Sequence, residues 1–169
     1  VYQEGYDKLV IATGASPVVP KLDGCDLPGV FTMRTPDDAQ GVKDYIKEHS
    51  CRTALVVGCG FIGLEVGENL QKLGLNVTMI DFADQILPGI FDSEMAEYAK
   101  RQLTASGSKI LLGTALSKVE KTAEGFSVTT TSGHLNTDLV VLCIGVRPDT
   151  GFLADTGLEL FKGTIVVNQ

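Results

Sequence analysis

Three glycines with the spacing G-x-G-x-x-G lie in the middle of the chain, at Gly58, Gly60 and Gly63. They follow a run of β-branched residues directly and open an amphipathic segment that is predicted to be a helix. In this context the first glycine makes a tight turn, the second lets backbone N–H groups approach a pyrophosphate, and the third lets helix and strand pack closely. The N-terminus of the helix adds partial positive charge. The pattern therefore predicts a dinucleotide-binding loop.

An acidic residue, Asp81, ends the next apolar run, 18 residues after Gly63. Such a carboxylate can accept hydrogen bonds from the hydroxyls of an adenosine ribose. It would repel the 2′-phosphate of NADP(H), and residues 82–88 contain no Arg, Lys or His that could bind this phosphate. We therefore predict NAD(H) as the small-molecule ligand. The alternative is that the glycines serve only close packing, and the strand, the helix and Asp81 together argue against it.

Strands and helices alternate around the glycine loop. The hydrophobic periodicity predicts strands at 53–57, 76–80 and 109–112 and helices at 62–73 and 93–106. This alternation is typical of a parallel sheet with helices packed on its faces.

Two further segments complete the predicted sheet and its covering layers. Thr35 is a candidate N-cap, followed by Pro36 and two aspartates, and opens a helix that would cover one face. Residues 115–138 form short alternating β runs broken by turn residues, which is typical of an antiparallel meander. The run LVVLCIG at residues 139–145 has the continuous apolar character of a parallel strand buried on both faces. We predict an α/β fold, a Rossmann-like parallel sheet with an antiparallel β-meander as crossover.

Composition favours a small molecule over other kinds of partner. The net charge is −7 and no cluster of Lys or Arg interrupts the acidic background, so nucleic acid is not an expected partner. The longest apolar run is too short for a bilayer, and no export signal is visible, so no membrane partner is expected. The four cysteines lack the spacing of metal ligands, so we predict no metal site and a cytoplasmic location.

Both ends of the chain resemble parts of a larger structure. The run Leu9 to Ala12 is predicted to be a strand, yet no upstream sequence supplies its neighbours. Residues 163–169 form another strand-like run that no further element follows. We therefore expect an internal segment of a longer polypeptide.

Five motifs occur in order along nearly the whole chain: YDKLVIATGASP, GCGFIGLEVGENL, VTMIDFADQILP, CIGVRPD and GTIVVN. Together they resemble the pyridine nucleotide-disulfide oxidoreductases, and most closely the branch of coenzyme A-disulfide reductases, NADH oxidases and NADH peroxidases. The resemblance implies an NADH domain inserted into a flavin domain. Hydride would pass from nicotinamide to FAD and then to a redox cysteine.

The resemblance also implies a division of the chain. Residues 1–25 would be a flavin-domain-like segment and linker, residues 26–144 the NAD(H)-binding Rossmann domain, and residues 145–169 the return toward the flavin domain. The flavin's own glycine loop, the redox cysteine and a dimerisation domain would lie outside the chain. No catalytic residue is therefore expected within it, and the full-length protein would be a homodimer whose flavin domain belongs to the same polypeptide.

Further cofactor contacts follow from the same resemblance. Phe61 occupies the position of an aromatic gate that shields the flavin until nicotinamide displaces it, and Ile62 would pack beside the dinucleotide. Glu65 would face the nicotinamide carboxamide, although a favourable charge near a helix start explains it equally well. Gly145 would line the nicotinamide side, and Asp149 departs from the asparagine that is usual in the family. Three consecutive residues would approach the flavin: Ala12, Thr13 and Gly14.

Two functional interpretations remain open at this point. The first is the NAD(H)-binding domain of an FAD-dependent oxidoreductase that delivers hydride from NADH to flavin, for reduction of a disulfide, oxygen or peroxide. The second is an isolated dinucleotide-binding module with no catalysis of its own, because neither a flavin site nor a redox thiol is complete within the chain. The absence of C-x-x-C disfavours a low-molecular-weight thioredoxin reductase, and Asp81 disfavours a glutathione reductase. The final electron acceptor depends on residues outside the segment.

Overall fold

A computed structural model describes residues 2–167 of the protein. The chain forms two compact units, one made of Val1–Ser16 with Val146–Gln169 and the other of Pro17–Gly145. None of the helices within residues 2–167 combines the length and apolar character that a membrane crossing needs. The predicted boundaries at residues 25 and 144 stay a prediction about the whole protein.

Twelve strands and three α-helices make up the described part of the chain. In chain order the elements are β1 (Ala15–Pro17), β2 (Val30–Thr32), α1 (Pro36–Glu48), β3 (Thr53–Val57), α2 (Phe61–Lys72), β4 (Asn76–Ile80), α3 (Ser93–Ala105), β5 (Lys109–Leu111), β6 (Leu116–Thr122), β7 (Gly125–Thr130), β8 (Gly133–Thr137), β9 (Leu139–Leu142), β10 (Val146–Pro148), a short 3-10 helix (Gly151–Leu153), β11 (Leu160–Phe161) and β12 (Thr164–Ile165). The predicted helices and core strands agree with these bounds to within one residue, except at the end of β9. That strand stops at Leu142, because the chain leaves the sheet and turns at Gly145, where φ is +108°.

Five parallel strands form the centre of the larger unit, in the order β2-β9-β3-β4-β5. Strand β9 lies between β2 and β3, and all four of its residues are buried. The chain reaches β9 from β5 through the antiparallel sheet β6-β7-β8. The predicted Rossmann-like sheet with a meander crossover is therefore confirmed.

Two apolar clusters hold the three layers of this unit together. Alternate residues of each central strand point to opposite faces, so Val56 joins one cluster and Val57 the other. The first cluster packs β3, β4 and β9 against the three helices, with Val42 of α1 and Val66 of α2 among its members. The second packs the same strands against the meander, where Phe126 is 1% exposed. Because both faces are covered, β9 is apolar and buried at every position.

The start of α1 follows the sequence prediction closely. Thr35 is the N-cap: its side-chain oxygen accepts from the backbone N–H of Asp38 at 3.3 Å, and Pro36 is the first helical residue. The Asp38 carboxylate in turn accepts from the N–H groups of Thr35 and Arg34 at 2.7 and 2.9 Å. These backbone hydrogen bonds lower the pKa of Asp38. The capping box fixes where the helix begins.

Two predicted strands at the chain ends differ from the structure. Leu9 to Ala12 is not a strand, so that prediction is wrong, and β1 begins only at Ala15. Leu9 and Val10 are 61% and 86% exposed, because no neighbouring strand pairs with them within the described residues. Near the other end only Thr164–Ile165 is extended and paired, antiparallel to Leu160–Phe161. Residues 168 and 169 of that predicted strand lie outside the described residues.

Candidate nucleotide-binding site

Two of the three glycines in the loop are required by packing. Gly58 has φ of +106°, and a Cβ added there would collide with the carbonyl group of Cys143. A Cβ on Gly63 would collide with the carbonyl oxygen of Gly58. The loop is also tied to the neighbouring strand, since the Gly58 N–H donates to the Ile80 oxygen at 2.8 Å.

Gly60 differs from these two glycines. Its backbone φ is −78°, which any residue can adopt, and a Cβ built there meets no atom within 4 Å. Packing alone would therefore allow a side chain at this position. The open space in front of Gly60 is where a ligand could approach the backbone closely.

The helix that follows the loop begins without a side-chain cap. Gly60 is the N-cap of α2. No side chain accepts a hydrogen bond from the first N–H groups of this helix, and the first turn of the helix contains no acidic residue. The other two helices are capped by Thr35 and Asp92. The first N–H groups of a helix lack partners within the helix, so those of α2 remain available to an anion.

A cavity of about 530 Å³ lies in front of this helix start, and its whole lining belongs to the larger unit. This volume is within the range of small-molecule sites. Among the described residues that line the cavity, none is Lys, Arg or His. Six of the predicted cofactor contacts do line it: Gly58, Gly60, Phe61, Ile62, Asp81 and Gly145.

The cavity lies at the carboxyl ends of the parallel strands. Val57 closes β3, Asp81 follows β4, and Cys143 follows β9, and all three line it. Strand β3 has β4 on one side and β9 on the other, although the chain reaches β9 much later. Ligands of open α/β sheets bind at such a reversal of strand order.

The Asp81 side chain is 7% exposed and is held by backbone donors. Its Oδ2 accepts from the N–H of Cys59 at 2.6 Å, and its Oδ1 accepts from the N–H of Ala83 at 2.9 Å. The position of Asp81 at the end of β4 agrees with the sequence prediction. Its contact with a ribose stays a prediction, and its link to the glycine loop was not foreseen.

Two thiols lie beside the loop. Cys59 is fully buried, and burial raises its pKa to about 12, with the nearby Asp81 charge acting in the same direction. Burial also raises the pKa of Cys143, which lines the cavity, to about 12. Both thiols are therefore neutral near pH 7, whereas the reactive form of a redox cysteine is the thiolate.

Glu65 does not lie where the glycine loop meets the cavity. It is the fifth residue of α2, exposed, and does not line the cavity. Its carboxylate accepts from the side-chain amide of Asn69 at 3.2 Å. Because it lies beyond the first turn, the alternative of a favourable charge at the helix start loses support.

The three residues predicted to approach flavin belong to the smaller unit. Thr13 donates its hydroxyl to the carbonyl of Asp149 at 2.8 Å, and the Asp149 N–H donates to the Gly14 oxygen at 3.0 Å. Ala12, which precedes them, is not part of a strand. The Asp149 carboxylate accepts from the Ser16 hydroxyl at 2.8 and 3.0 Å. Asp149, near the start of the return segment 145–169, is thus hydrogen-bonded to three residues of the segment 13–16.

Several cavity-lining residues were missed by sequence reasoning. Phe82 is 80% exposed and directly follows Asp81 in an irregular stretch, so the available signals were its adjacency to Asp81 and its place in the motif VTMIDFADQILP. Leu87 and Pro88 end the same motif and Ile144 lies in CIGVRPD, but no ligand contact was predicted for them. Ile90, in a loop, and Leu116, in the meander, also line the cavity and lie outside all five motifs.

The family model described as pyridine nucleotide-disulphide oxidoreductase matches residues 2–169. The chain belongs to this family. An NADH oxidase of Methanocaldococcus jannaschii is 36% identical over 168 residues, which are 99% of this chain and 38% of that protein. The chain therefore spans well under half the length of this family relative. The similarity confirms the predicted family branch.

Solved structures of family members have the same fold. The water-forming NADH oxidase of Lactobacillus brevis, bound to NADH, is 31% identical with a TM-score of 0.87, over 95% of this chain and 35% of that chain. An engineered form of that enzyme, bound to NADPH, is 29% identical with a TM-score of 0.87, again over 95% of this chain and 35% of that chain. Five substitutions distinguish the engineered form, among them one glycine, one aspartate and one proline that are replaced.

Proposed function

We propose that this chain is the NAD(H)-binding domain of an FAD-dependent pyridine nucleotide-disulfide oxidoreductase. It would deliver hydride from NADH to flavin, for reduction of a disulfide, oxygen or peroxide. Gly60 is the observation that carries the proposal. Gly58 and Gly63 are needed to pack the loop, but Gly60 has open space in front of it, so its lack of a side chain serves an approaching ligand.

The uncapped start of α2 gives that ligand its chemistry. Its first N–H groups border the cavity at Gly60, Phe61 and Ile62, and no carboxylate lies in the first turn. A pyrophosphate would accept hydrogen bonds from these groups and would be favoured by the helix dipole. The apolar remainder of the cavity wall, which includes Phe82 and Ile144, suits the flat rings of a dinucleotide.

Three observations support NAD(H) over NADP(H). Asp81 borders the cavity, and no cationic side chain lines it to bind a 2′-phosphate. In the NADPH-bound engineered oxidase, the replaced glycine, aspartate and proline have the same spacing as Gly63, Asp81 and Pro88. That variant loses the aspartate and gains arginine at the positions spaced like Phe82 and Pro88. This chain has none of those cationic replacements.

Flavin and the partners of the whole protein are assigned to sequence outside the chain. The chain has one G-x-G-x-x-G loop, which we assign to NAD(H), so FAD would require a second loop in the flavin domain of the same polypeptide. The homodimer contact would also come from outside the 169 residues. The four cysteines in the chain are free, which suits a cytoplasmic location.

The isolated chain is expected to bind NADH more tightly than NADPH. The reason is the combination of Asp81 with a cavity wall that lacks cations. Calorimetric titration of the pure chain with each coenzyme measures both affinities. Equal or tighter binding of NADPH, or no nucleotide binding by a sample whose circular dichroism shows a folded α/β chain, would contradict the proposal.

The purified chain is expected to be colourless. Contacts from Ala12 to Gly14 could reach only part of a flavin, and the ordering and desolvation costs of the rest would go uncompensated. An absorbance spectrum of the pure chain in the visible blue tests this, since oxidised flavin absorbs there. A stoichiometric flavin band would show that the assignment of FAD to outside sequence is wrong.

The isolated binding module without catalysis is the second candidate. Cys59 and Cys143, the thiols beside the cavity, have their pKa raised by burial, which is unsuited to a redox thiolate. The upstream sequence of the gene decides between the two candidates. A second G-x-G-x-x-G followed by a lone cysteine supports the oxidoreductase, and their absence supports the module.

A further inference from the structure

We propose that Asp81 is a positioning residue whose carboxylate holds the glycine loop in its pyrophosphate-binding conformation. The inference rests on the proposed function, and it deepens that function by giving Asp81 a role besides contact with the ribose. Asp81 lines the cavity, but both of its carboxylate oxygens are engaged by backbone N–H groups.

The carboxylate connects two segments of backbone. Oδ2 of Asp81 accepts from the N–H of Cys59 at 2.6 Å, and Oδ1 accepts from the N–H of Ala83 at 2.9 Å. Cys59 stands between the first two glycines of the loop and is fully buried. Hydrogen bonds to a carboxylate are stronger than those between neutral groups, and the one from Cys59 is buried away from water.

The backbone carbonyl group of Cys59 is also held by a hydrogen bond. The N–H of Leu87 donates to the carbonyl oxygen of Cys59 at 3.0 Å. Leu87 is 3% exposed and has φ of +49°, in the left-handed region that leucine rarely adopts. Such a conformation persists when the surroundings fix it. The segment from Asp81 to Leu87 therefore forms hydrogen bonds with both the backbone N–H and the backbone carbonyl group of Cys59.

The glycines on either side of Cys59 are the reason why these two hydrogen bonds are needed. Glycine has more backbone freedom than any other residue, so a loop with Gly58 and Gly60 does not hold one shape by itself. Without the carboxylate, the Cys59 N–H would be a buried donor without a partner, and the loop would move to satisfy it. Because this N–H is already engaged, the N–H groups left for a pyrophosphate are those at the start of α2. Asp81 thereby determines which donors the ligand meets.

The two roles of Asp81 make different predictions for a truncated ligand. If Asp81 acted only on the ribose, Asp81→Ala would not weaken binding of an NADH analogue that lacks the 2′- and 3′-hydroxyls of its adenosine ribose. If Asp81 positions the loop, the same substitution weakens binding of this analogue as well. We expect a loss of about tenfold or more with both ligands, which is what loss of a charge-assisted hydrogen bond brings.

Calorimetric titration of three proteins with the two ligands is the test. The proteins are the wild type, Asp81→Ala and the control Asp84→Ala, which removes an exposed carboxylate that does not line the cavity. The control is expected to bind both ligands like the wild type. Wild-type affinity of Asp81→Ala for the dideoxy analogue overturns the inference. A wild type that binds no NADH overturns the proposed function instead.

Amide hydrogen exchange followed by NMR reports on the loop itself. In Asp81→Ala the Cys59 amide is expected to exchange at least about tenfold faster, while those of Leu55 and Val56 in β3 stay protected. Unchanged protection of Cys59 overturns the inference. If Asp81→Ala fails to fold, Asp81→Leu replaces it, because leucine fills the space that alanine leaves empty and accepts neither hydrogen bond. Full affinity of a folded Asp81→Leu for the analogue, with a protected Cys59 amide, is then the contradicting result.

Discussion

Gly58→Ala is expected to lower the free energy of unfolding by about 2 to 5 kcal/mol and to abolish measurable NADH binding. The substitution places a Cβ at a φ of +106° and drives it into the carbonyl group of Cys143. Both the turn and the neighbouring strand end must then shift, and the donors at the start of α2 shift with them. Urea denaturation gives the change in stability, and calorimetry with NADH gives the change in binding.

Gly41→Ala is the matched control for this substitution. Gly41 lies in the interior of α1, is exposed, and has open space where a Cβ would lie. Alanine favours a helix over glycine, so the control should gain about 0.5 to 1 kcal/mol of stability and keep its NADH affinity. A Gly58→Ala protein as stable as the wild type would show that the turn does not need glycine.

Asp81→Ala is expected to reduce the preference for NADH over NADPH by at least about tenfold. A hydrogen bond to a charged group contributes about 1.5 to 3 kcal/mol, so NADH should lose about 10- to 100-fold in affinity. NADPH loses the support of the loop as well, but it is also relieved of repulsion between its 2′-phosphate and the carboxylate. The ratio of the two calorimetric affinities measures the change.

Asp84→Ala separates this local effect from the general loss of a negative charge. Asp84 lies three residues further on and is exposed, and it does not line the cavity. Its removal should leave both affinities within about twofold, because charges exposed to water are strongly screened. An unchanged coenzyme preference in Asp81→Ala would mean that Asp81 is not the discriminating residue.

The sequence predicted elements best where the signals are local. Thr35 and Pro36 mark the start of α1 through capping, and short runs rich in apolar and β-branched residues define β3 and β4 to the residue. Leu9 to Ala12 has the same apolar character as these strands, yet it forms none. A strand depends on neighbours as well as on its own residues, and neighbours are not encoded in a short window.

The site was predictable where spacing carries the information. The positions of Gly58, Gly60 and Asp81 follow from the strand, turn and helix between them. Phe82 and Leu116 were missed, because a cavity wall made by irregular segments and a distant meander leaves no periodic pattern. The hydrogen bond from Cys59 to Asp81 was missed for a related reason: any buried carboxylate seeks donors, but the sequence does not say which ones.

The place of β9 in the sheet has a consequence for how the chain acquires its structure. Strands β3, β4 and β5 pair with strands that are close to them in sequence. Strand β2 pairs only with β9, and most of the residues of the larger unit lie between these two strands in the sequence. During synthesis, β2 and one edge of β3 therefore wait unpaired until residues 139–142 have left the ribosome. Long-range strand pairing is slow and leaves apolar edges open to other chains in the meantime. Of the five strands in this sheet, the last to be made lies next to its centre, so the sheet cannot be completed before residues 139–142 are available.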